Sequence, residues 1–236
     1  ARELTTLQTI LQKQIARFGD GIYKNGSLVT GGQITLQGFR EQIGFANLET
    51  TATPANFLYQ SVNTSSNGYA TVIAYSDISD TDTNPTLILK YNTGANRGKV
   101  GDVIRTMPDV TSNVGYSANI TGIGGSTVAS ITKGVYFYNG YFIDVEPQTL
   151  ILDKYSPFPT YRVGLQFTDT IIDENSDTTL LDPAQEASNY QAPGSTRYQI
   201  LLSLSKRSID STDDSKFIEL LRVENGVVSK QVEYPD

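Results

Sequence analysis

The sequence predicts a mainly β protein: one or more antiparallel β-sandwich or barrel-like domains preceded by one N-terminal α-helix. Short runs rich in Val, Ile, Tyr and Phe recur about every 8–12 residues between polar turns, a spacing typical of sandwiches and barrels. Asn-Gly pairs, which favour two-residue hairpin turns, separate such runs at Asn139-Gly140 and Asn225-Gly226. A helical period in the apolar residues is convincing only near the N-terminus.

Residues 1–19 predict that helix. Its apolar residues recur at spacings of three and four, namely Leu4, Leu7, Leu11, Ile15 and Phe18. We expect the helix to end at Phe18, because Gly19 suits the position directly after a helix. The stripe fits a helix packed on its own domain. It also fits part of a coiled-coil seam, since Leu4, Leu11 and Phe18 recur every seven residues, and all five apolar residues then form an interface between copies.

The first β region is expected over residues 20–125. Residues 21–29 predict a hairpin around Asn25-Gly26, in the manner of the later Asn-Gly turns. Further strands are expected over residues 34–36, 39–45, 69–75, 86–91 and 100–105. Residues 111–126 are rich in Gly, Ser and Asn and weakly patterned, which predicts an exposed loop or a domain boundary.

The second β region is expected over residues 126–236. It centres on residues 134–145, where Asn139-Gly140 joins two strands rich in aromatic residues. The second of these strands is predicted to continue past Pro147 as far as Leu152. Later strands are expected over residues 161–167, 198–204, 217–223 and 227–232.

The composition argues against several classes of function. The net charge is −7 and no Lys/Arg block occurs, so a nucleic-acid partner is disfavoured. The chain contains no Cys and no His, which excludes Ser-His-Asp catalysis, Cys-His catalysis and Cys-based zinc sites. No apolar run reaches the ~18 residues that a membrane-spanning helix needs. We therefore expect no enzymatic activity, no cofactor and no membrane insertion.

Two acidic segments suggest functional sites, although a solvated loop is the preferred interpretation of each. Asp77, Asp80 and Asp82 alternate as calcium ligands can, but the Gly and Glu positions of an EF-hand are missing. Residues 169–182 carry five Asp or Glu residues, and paired carboxylates can hydrolyse glycosides. No aromatic platform or apolar wall lies close to them in the sequence.

Ordered motifs over most of the chain carry a resemblance to a known family. They occupy residues 17–26, 133–142, 152–156, 161–165, 181–185, 188–194 and 217–226. Together they resemble an uncharacterised domain of tailed-bacteriophage virion proteins. The likeness is thinnest over residues 50–128.

This resemblance implies a structural protein of a phage tail, baseplate or fibre, located in the virion and assembled in the host cytoplasm. In such proteins the domain stands near the start of a longer chain, so we expect further residues after Asp236. The family offers no catalytic residues to carry over. We expect other tail or baseplate proteins as partners, and the N-terminal helix favours a homo-oligomer, with a trimer as the preferred state.

The alternative is a receptor-binding or carbohydrate-binding adhesion module of the same apparatus. Sugar sites often place an exposed aromatic platform beside carboxylates. Five residues of the central hairpin would provide one here: Tyr136, Tyr138, Tyr141, Phe142 and Asp144. Strand alternation, however, predicts that about half of these side chains are buried.

Overall fold

A computed structural model of the chain describes residues 2–38, 42–49, 53–79, 83–107, 115–184, 189–194 and 196–232, except for the side chains of residues 2–5. These residues form one α-helix, α1 (Arg2–Ile22), and sixteen β-strands. The strands are β1 (Ser27–Gly31), β2 (Ile34–Gln37), β3 (Ile43–Leu48), β4 (Ser61–Thr64), β5 (Tyr69–Ser76), β6 (Thr86–Tyr91), β7 (Val103–Thr106), β8 (Ser117–Gly125), β9 (Thr127–Ile131), β10 (Gly134–Tyr138), β11 (Tyr141–Val145), β12 (Gln148–Asp153), β13 (Tyr161–Ile172), β14 (Arg197–Arg207), β15 (Phe217–Glu224) and β16 (Val227–Gln231). The predicted class, mainly β and antiparallel with one N-terminal helix, is confirmed.

Six strands close into a barrel in the order β3-β6-β5-β4-β7-β8. In β5, for example, Ala70, Val72 and Ala74 are buried and the residues between them are more exposed, so that alternate side chains point inward. Val62, Val72, Leu89 and Ile104 are among the buried side chains that fill the interior. The barrel is therefore a packed core rather than an open channel.

The remaining strands form a sandwich. Two three-stranded sheets, β1-β10-β11 and β12-β9-β2, pack over the four-stranded sheet β14-β13-β15-β16. Their shared core includes Ile131, Tyr136, Val163, Leu165 and Leu220, each almost fully buried. Burying these side chains on both layers is what holds the sheets together.

Barrel and sandwich are joined through β8, which continues into β9 after Ser126. Val128 of β9 packs with Ile43 and Ile88 of the barrel. The rings of Phe45 and Tyr155 also meet across the junction, with centroids 4.9 Å apart.

Strand pairing does not divide the chain into two consecutive β regions that meet at residue 125. The barrel comprises residues 43–125, whereas β1 pairs with β10 and β2 pairs with β9. Through this pairing, residues 27–37 lie in the same sheets as strands that follow residue 126. Because these contacts join residues about a hundred positions apart, local patterns in the sequence do not encode them.

Two of the three predicted Asn-Gly hairpins are confirmed. Asn139 and Gly140 have φ values of 51° and 80°, and Asn225 and Gly226 have values of 50° and 76°, so both turns place two residues at positive φ. The hairpin predicted at residues 21–29 is wrong, because only one strand, β1, follows the helix there. Asn25 instead accepts a hydrogen bond from the N–H group of Asn139, 2.8 Å away, and fastens the helix end to the central hairpin.

The prediction that one strand runs through Pro147 is also wrong. β11 ends at Val145, and β12 pairs with β9 in another sheet. Proline lacks the N–H group that a continuous ladder would need, so the chain changes sheets at this point.

The predicted loop at residues 111–126 contains β8, and residues 111–114 lie outside the described part of the chain. Ala118 and Ile120 are buried inside the barrel. The glycines that suggested a loop lie beneath side chains of β3: a Cβ on Gly124 would lie 2.5 Å from the ring of Phe45. Glycine is needed there for close packing between strands. The predicted strand at residues 39–45 lies partly outside the described residues, and β3 begins at Ile43.

Candidate protein interface

One line of residues on α1 holds the helix against the central hairpin. Gln12 donates a hydrogen bond from Nε2 to the carbonyl oxygen of Gly140, 3.3 Å away. A Cβ on Gly140 would lie 3.0 Å from Cβ of Ala16, so these two residues already touch. The Tyr23 ring, directly after the helix, packs on the rings of Phe137 and Phe142 at centroid distances of 5.8 and 5.7 Å. We call Gln12, Ala16, Gly19 and Tyr23 the inward line.

Gly19 makes the closest approach on this line. A Cβ at this position would lie 2.2 Å from the ring of Phe137, which is fully buried. The prediction that Gly19 ends the helix is therefore wrong: α1 continues to Ile22, and the Tyr23 N–H group donates to the Gly19 carbonyl oxygen at 2.7 Å. This glycine serves close packing instead of a C-terminal cap.

A second line on α1 points away from the rest of the molecule. Its described members are large apolar residues that are between 48 and 66% exposed: Leu7, Leu11, Ile15, Phe18 and Ile22. We call these five residues the outward stripe. Exposed apolar groups at this density mark interaction surfaces, since isolated soluble proteins rarely leave them in water.

Of the five residues predicted to form an interface, the structure places Leu7, Leu11, Ile15 and Phe18 on the outward stripe. The side chain of Leu4 lies outside the described residues. Ile22 was not predicted, because the helix was expected to end at Phe18. The spacing of four residues from Phe18 to Ile22 is the signal that would have found it.

The charged residues between Leu7 and Ile22 occupy a third side of the helix. Lys13, Arg17 and Asp20 fall between the other two lines when residues are placed about 100° apart. The residues that flank the outward stripe between Leu7 and Ile22 are uncharged: Gln8, Ile10, Gln14 and Gly21. Nothing on this part of the helix repels an identical surface.

The residues of the proposed aromatic platform do not share an exposed face. Tyr136 is fully buried and its hydroxyl group donates to the Gly32 carbonyl oxygen. Tyr138 packs on Phe167 in the sandwich core, with ring centroids 4.7 Å apart. Phe142 lies on the opposite side of the hairpin, against Tyr23. These side chains stabilise the fold from both faces of the hairpin.

Three acidic residues of segment 169–182 accept hydrogen bonds from other groups of the protein. Hydrogen bonding from the Lys216 ammonium lowers the pKa of Asp169, and bonding from Ser176 lowers the pKa of Asp173. Asp177 accepts from the N–H group of Thr179 and caps a short 3₁₀ turn at Thr178–Leu180. Within the described residues, no three acidic side chains converge as a metal site. Asp80 and Asp82 of the earlier acidic segment lie outside those residues.

No family model, no curated protein and no solved structure matches this chain. No helical segment that the structure describes has the length and apolar character needed to cross a membrane.

Proposed function

We propose that this protein is a structural component of a bacteriophage tail, baseplate or fibre and acts by assembly rather than by catalysis. Its working surface is the outward stripe of α1, which binds the same stripe on further copies of the chain. A homotrimer is the favoured state. The observation that carries this proposal is the direction of the stripe: large apolar side chains face away from a fold to which the helix is already fastened.

The fastening of the helix favours association. Gln12, Gly19 and Tyr23 hold α1 on the β10–β11 hairpin before any partner arrives. Binding therefore loses less conformational entropy than it would with a free helix. Burial of the outward stripe makes the largest favourable contribution to association, because its apolar area leaves water without breaking any contact inside the protein.

The choice of identical copies as the occupant rests on charge. The stripe and its flanks between Leu7 and Ile22 carry no charge, so like surfaces meet without repulsion. Closed symmetric assemblies of identical chains are the commonest oligomers. The resemblance of residues 133–142 and 217–226 to virion proteins supports the location.

Light scattering on the full chain tests the assembly. We expect a mass about three times the chain mass of 25.8 kDa. Leu11→Gln with Ile15→Gln is expected to reduce it to one chain. The matched control, Lys13→Gln with Arg17→Gln, changes the same helix on its charged side and is expected to keep the oligomer. An unchanged mass in the first variant would contradict the proposal.

Peptide mass spectrometry on purified phage particles tests the location. We expect peptides of this chain in intact particles after washing in high salt. Their presence only in the soluble fraction of the lysate would rule out a virion component.

A further inference from the structure

The chain contains four Asn-Gly pairs, the sequence context in which asparagine most readily loses its side-chain amide. They are Asn25-Gly26, Asn67-Gly68, Asn139-Gly140 and Asn225-Gly226. In this reaction the backbone nitrogen of the next residue attacks Cγ of the asparagine. Glycine at the next position favours the attack, because it has no Cβ to shield the nitrogen or to stiffen the backbone.

In three of these pairs a hydrogen bond inside the protein holds the glycine N–H group. A nitrogen held in this way must leave its acceptor before it can attack, and leaving that acceptor costs free energy. The bonds run from Gly26 to the Phe137 carbonyl oxygen at 2.8 Å, from Gly226 to the Pro159 carbonyl oxygen at 2.9 Å, and from Gly68 to Oγ1 of Thr64 at 2.9 Å. We expect these bonds to slow the reaction at the asparagine of each pair.

The N–H group of Gly140 is different. No group among the residues that the structure describes accepts a hydrogen bond from it. The Asn139 side chain, which would be attacked, is exposed to water. Asn225-Gly226 offers a direct comparison, since both pairs form two-residue hairpin turns with similar φ values. The bond to Pro159 is what the turn at Asn139 lacks.

We propose that Asn139 is the asparagine of this chain that deamidates first in the folded protein, and that its isoaspartate product releases α1 from the central hairpin. The Gly140 nitrogen loses its proton and forms a bond to Cγ of Asn139, the amide nitrogen leaves as ammonia, and a cyclic imide results. Water then adds to one of the two imide carbonyls and opens the ring. The product is aspartate or isoaspartate, and either one carries a new carboxylate.

The isoaspartate product changes the contact between α1 and the hairpin. In isoaspartate the main chain runs through the former side chain and is one atom longer, whereas the pairing of Tyr138 with Tyr141 leaves room for two ordinary residues. Gly140 must then shift, and this residue accepts from Gln12 and touches Ala16. Aspartate keeps the ordinary main chain, and Asp-Gly suits the same turn. We therefore expect only isoaspartate to loosen α1.

Ageing of the full chain in water enriched in heavy oxygen tests the site, because ring opening adds an oxygen atom from the solvent. Peptide mass spectrometry after mildly alkaline incubation measures the label at all four asparagines. In the folded protein we expect Asn139 to react at least several-fold faster than Asn25, Asn67 and Asn225. In the chain unfolded by guanidinium, which is the control, the four rates should lie close together. An equal or faster rate at another asparagine of the folded chain, or no label at Asn139, would overturn the proposal.

The substitution Thr64→Val tests why the pairs differ. Valine is close to threonine in size but cannot accept from the Gly68 N–H group. We expect the rate at Asn67 to rise several-fold while the rate at Asn225 stays the same. An unchanged rate at Asn67 would show that the glycine hydrogen bond does not set the order of reaction, and would contradict the account of Asn139.

Hydrogen exchange tests the effect on α1. Chromatography separates the isoaspartate form from unreacted protein, and the freshly purified variant Asn139→Asp supplies the aspartate form. We expect the amide protons of α1 to exchange several-fold faster in the isoaspartate form than in the other two. Equal protection of α1 in all three forms would overturn its release from the hairpin.

Discussion

Two lines of residues along α1 have the same spacing but different surroundings. The inward line, Gln12, Ala16, Gly19 and Tyr23, and the last four residues of the outward stripe, Leu11, Ile15, Phe18 and Ile22, both follow steps of four, three and four. They are offset by a single residue. The first line touches the central hairpin and the second is exposed.

At their two middle positions these lines differ in side-chain size. Ala16 and Gly19 let the hairpin approach to van der Waals distance, which Leu or Phe would prevent. An amphipathic helix usually turns its apolar face to its own core. Here the two small residues let this side pack against the hairpin, and the apolar side stays exposed.

The largest expected effect comes from charging the outward stripe. Leu11→Asp with Phe18→Asp is expected to separate the copies, because buried unpaired carboxylates are costly. The unfolding temperature of the natural protein should rise with protein concentration, as for any assembly that only folded chains form. In the variant we expect that dependence to vanish in thermal melts. A variant that kept the dependence would show that the stripe is not the contact.

The next largest effect comes from adding one methyl group on the inward line. Gly19→Ala would push Cβ into the buried Phe137 ring, and overpacking of this kind costs about 1–3 kcal/mol. The matched control is Gly21→Ala, where a Cβ meets no atom within 4 Å. Since alanine favours helices, the control should stabilise the protein by up to about 1 kcal/mol.

Urea unfolding at one fixed protein concentration measures both glycine variants. We also expect Gly19→Ala to keep the three-chain mass, since it leaves the outward stripe intact. Equal stability of the two variants would contradict the packing of α1 on the hairpin.

A smaller effect is expected from Gln12→Ala. This substitution removes the hydrogen bond to the Gly140 carbonyl oxygen, and such bonds contribute about 0.5–1.5 kcal/mol. Gln8→Ala is the control, because Gln8 is exposed on the same helix. Urea unfolding should show a loss only for Gln12→Ala. A similar loss in both variants would show that the hydrogen bond to Gly140 is not its cause.

Acid is expected to affect the outward stripe least, because none of its side chains titrates. The β region differs, since hydrogen bonding from Ser66 lowers the pKa of Asp102, as Lys216 lowers that of Asp169. A carboxyl group whose pKa is lower in the folded state contributes stability at higher pH and loses it as the pH falls through that pKa. We expect a constant mass between about pH 7 and 5 and a falling melting temperature below about pH 4.

The variant Asp102→Asn sharpens the test, since it removes the titrating carboxylate and keeps only one of the two oxygens that accept from Ser65, Ser66 and the Lys99 N–H group. Its melting temperature should depend less on acid than that of the natural protein. Dissociation of the copies between about pH 7 and 5 would argue for a titrating interface elsewhere.

Local patterns predict where the strands of this chain lie better than they predict which strands pair with each other. β6 and the hairpins at Asn139 and Asn225 follow from β-branched and aromatic runs with turn residues between them. The strand β8 was missed because Gly122 and Gly124 suggest a loop, whereas their spaces are filled by side chains of β3. That packing is tertiary and leaves no mark in a short window of sequence.

The candidate interface was predicted in part. The spacing of Leu7, Leu11, Ile15 and Phe18 identifies an apolar side, but it also fits a helix packed on its own domain. The contact of Gly19 with Phe137 joins positions more than a hundred residues apart; it places the neighbouring line against the hairpin and leaves the apolar side exposed. Gly19 serves this contact and does not end the helix, so α1 continues to Ile22, which was not among the predicted interface residues.

Sedimentation equilibrium of the unmodified chain over a wide concentration range tests the central claim most directly. The outward stripe should be covered by identical copies, so we predict a mass approaching three times 25.8 kDa as the concentration rises. A mass of one chain at every accessible concentration would contradict it.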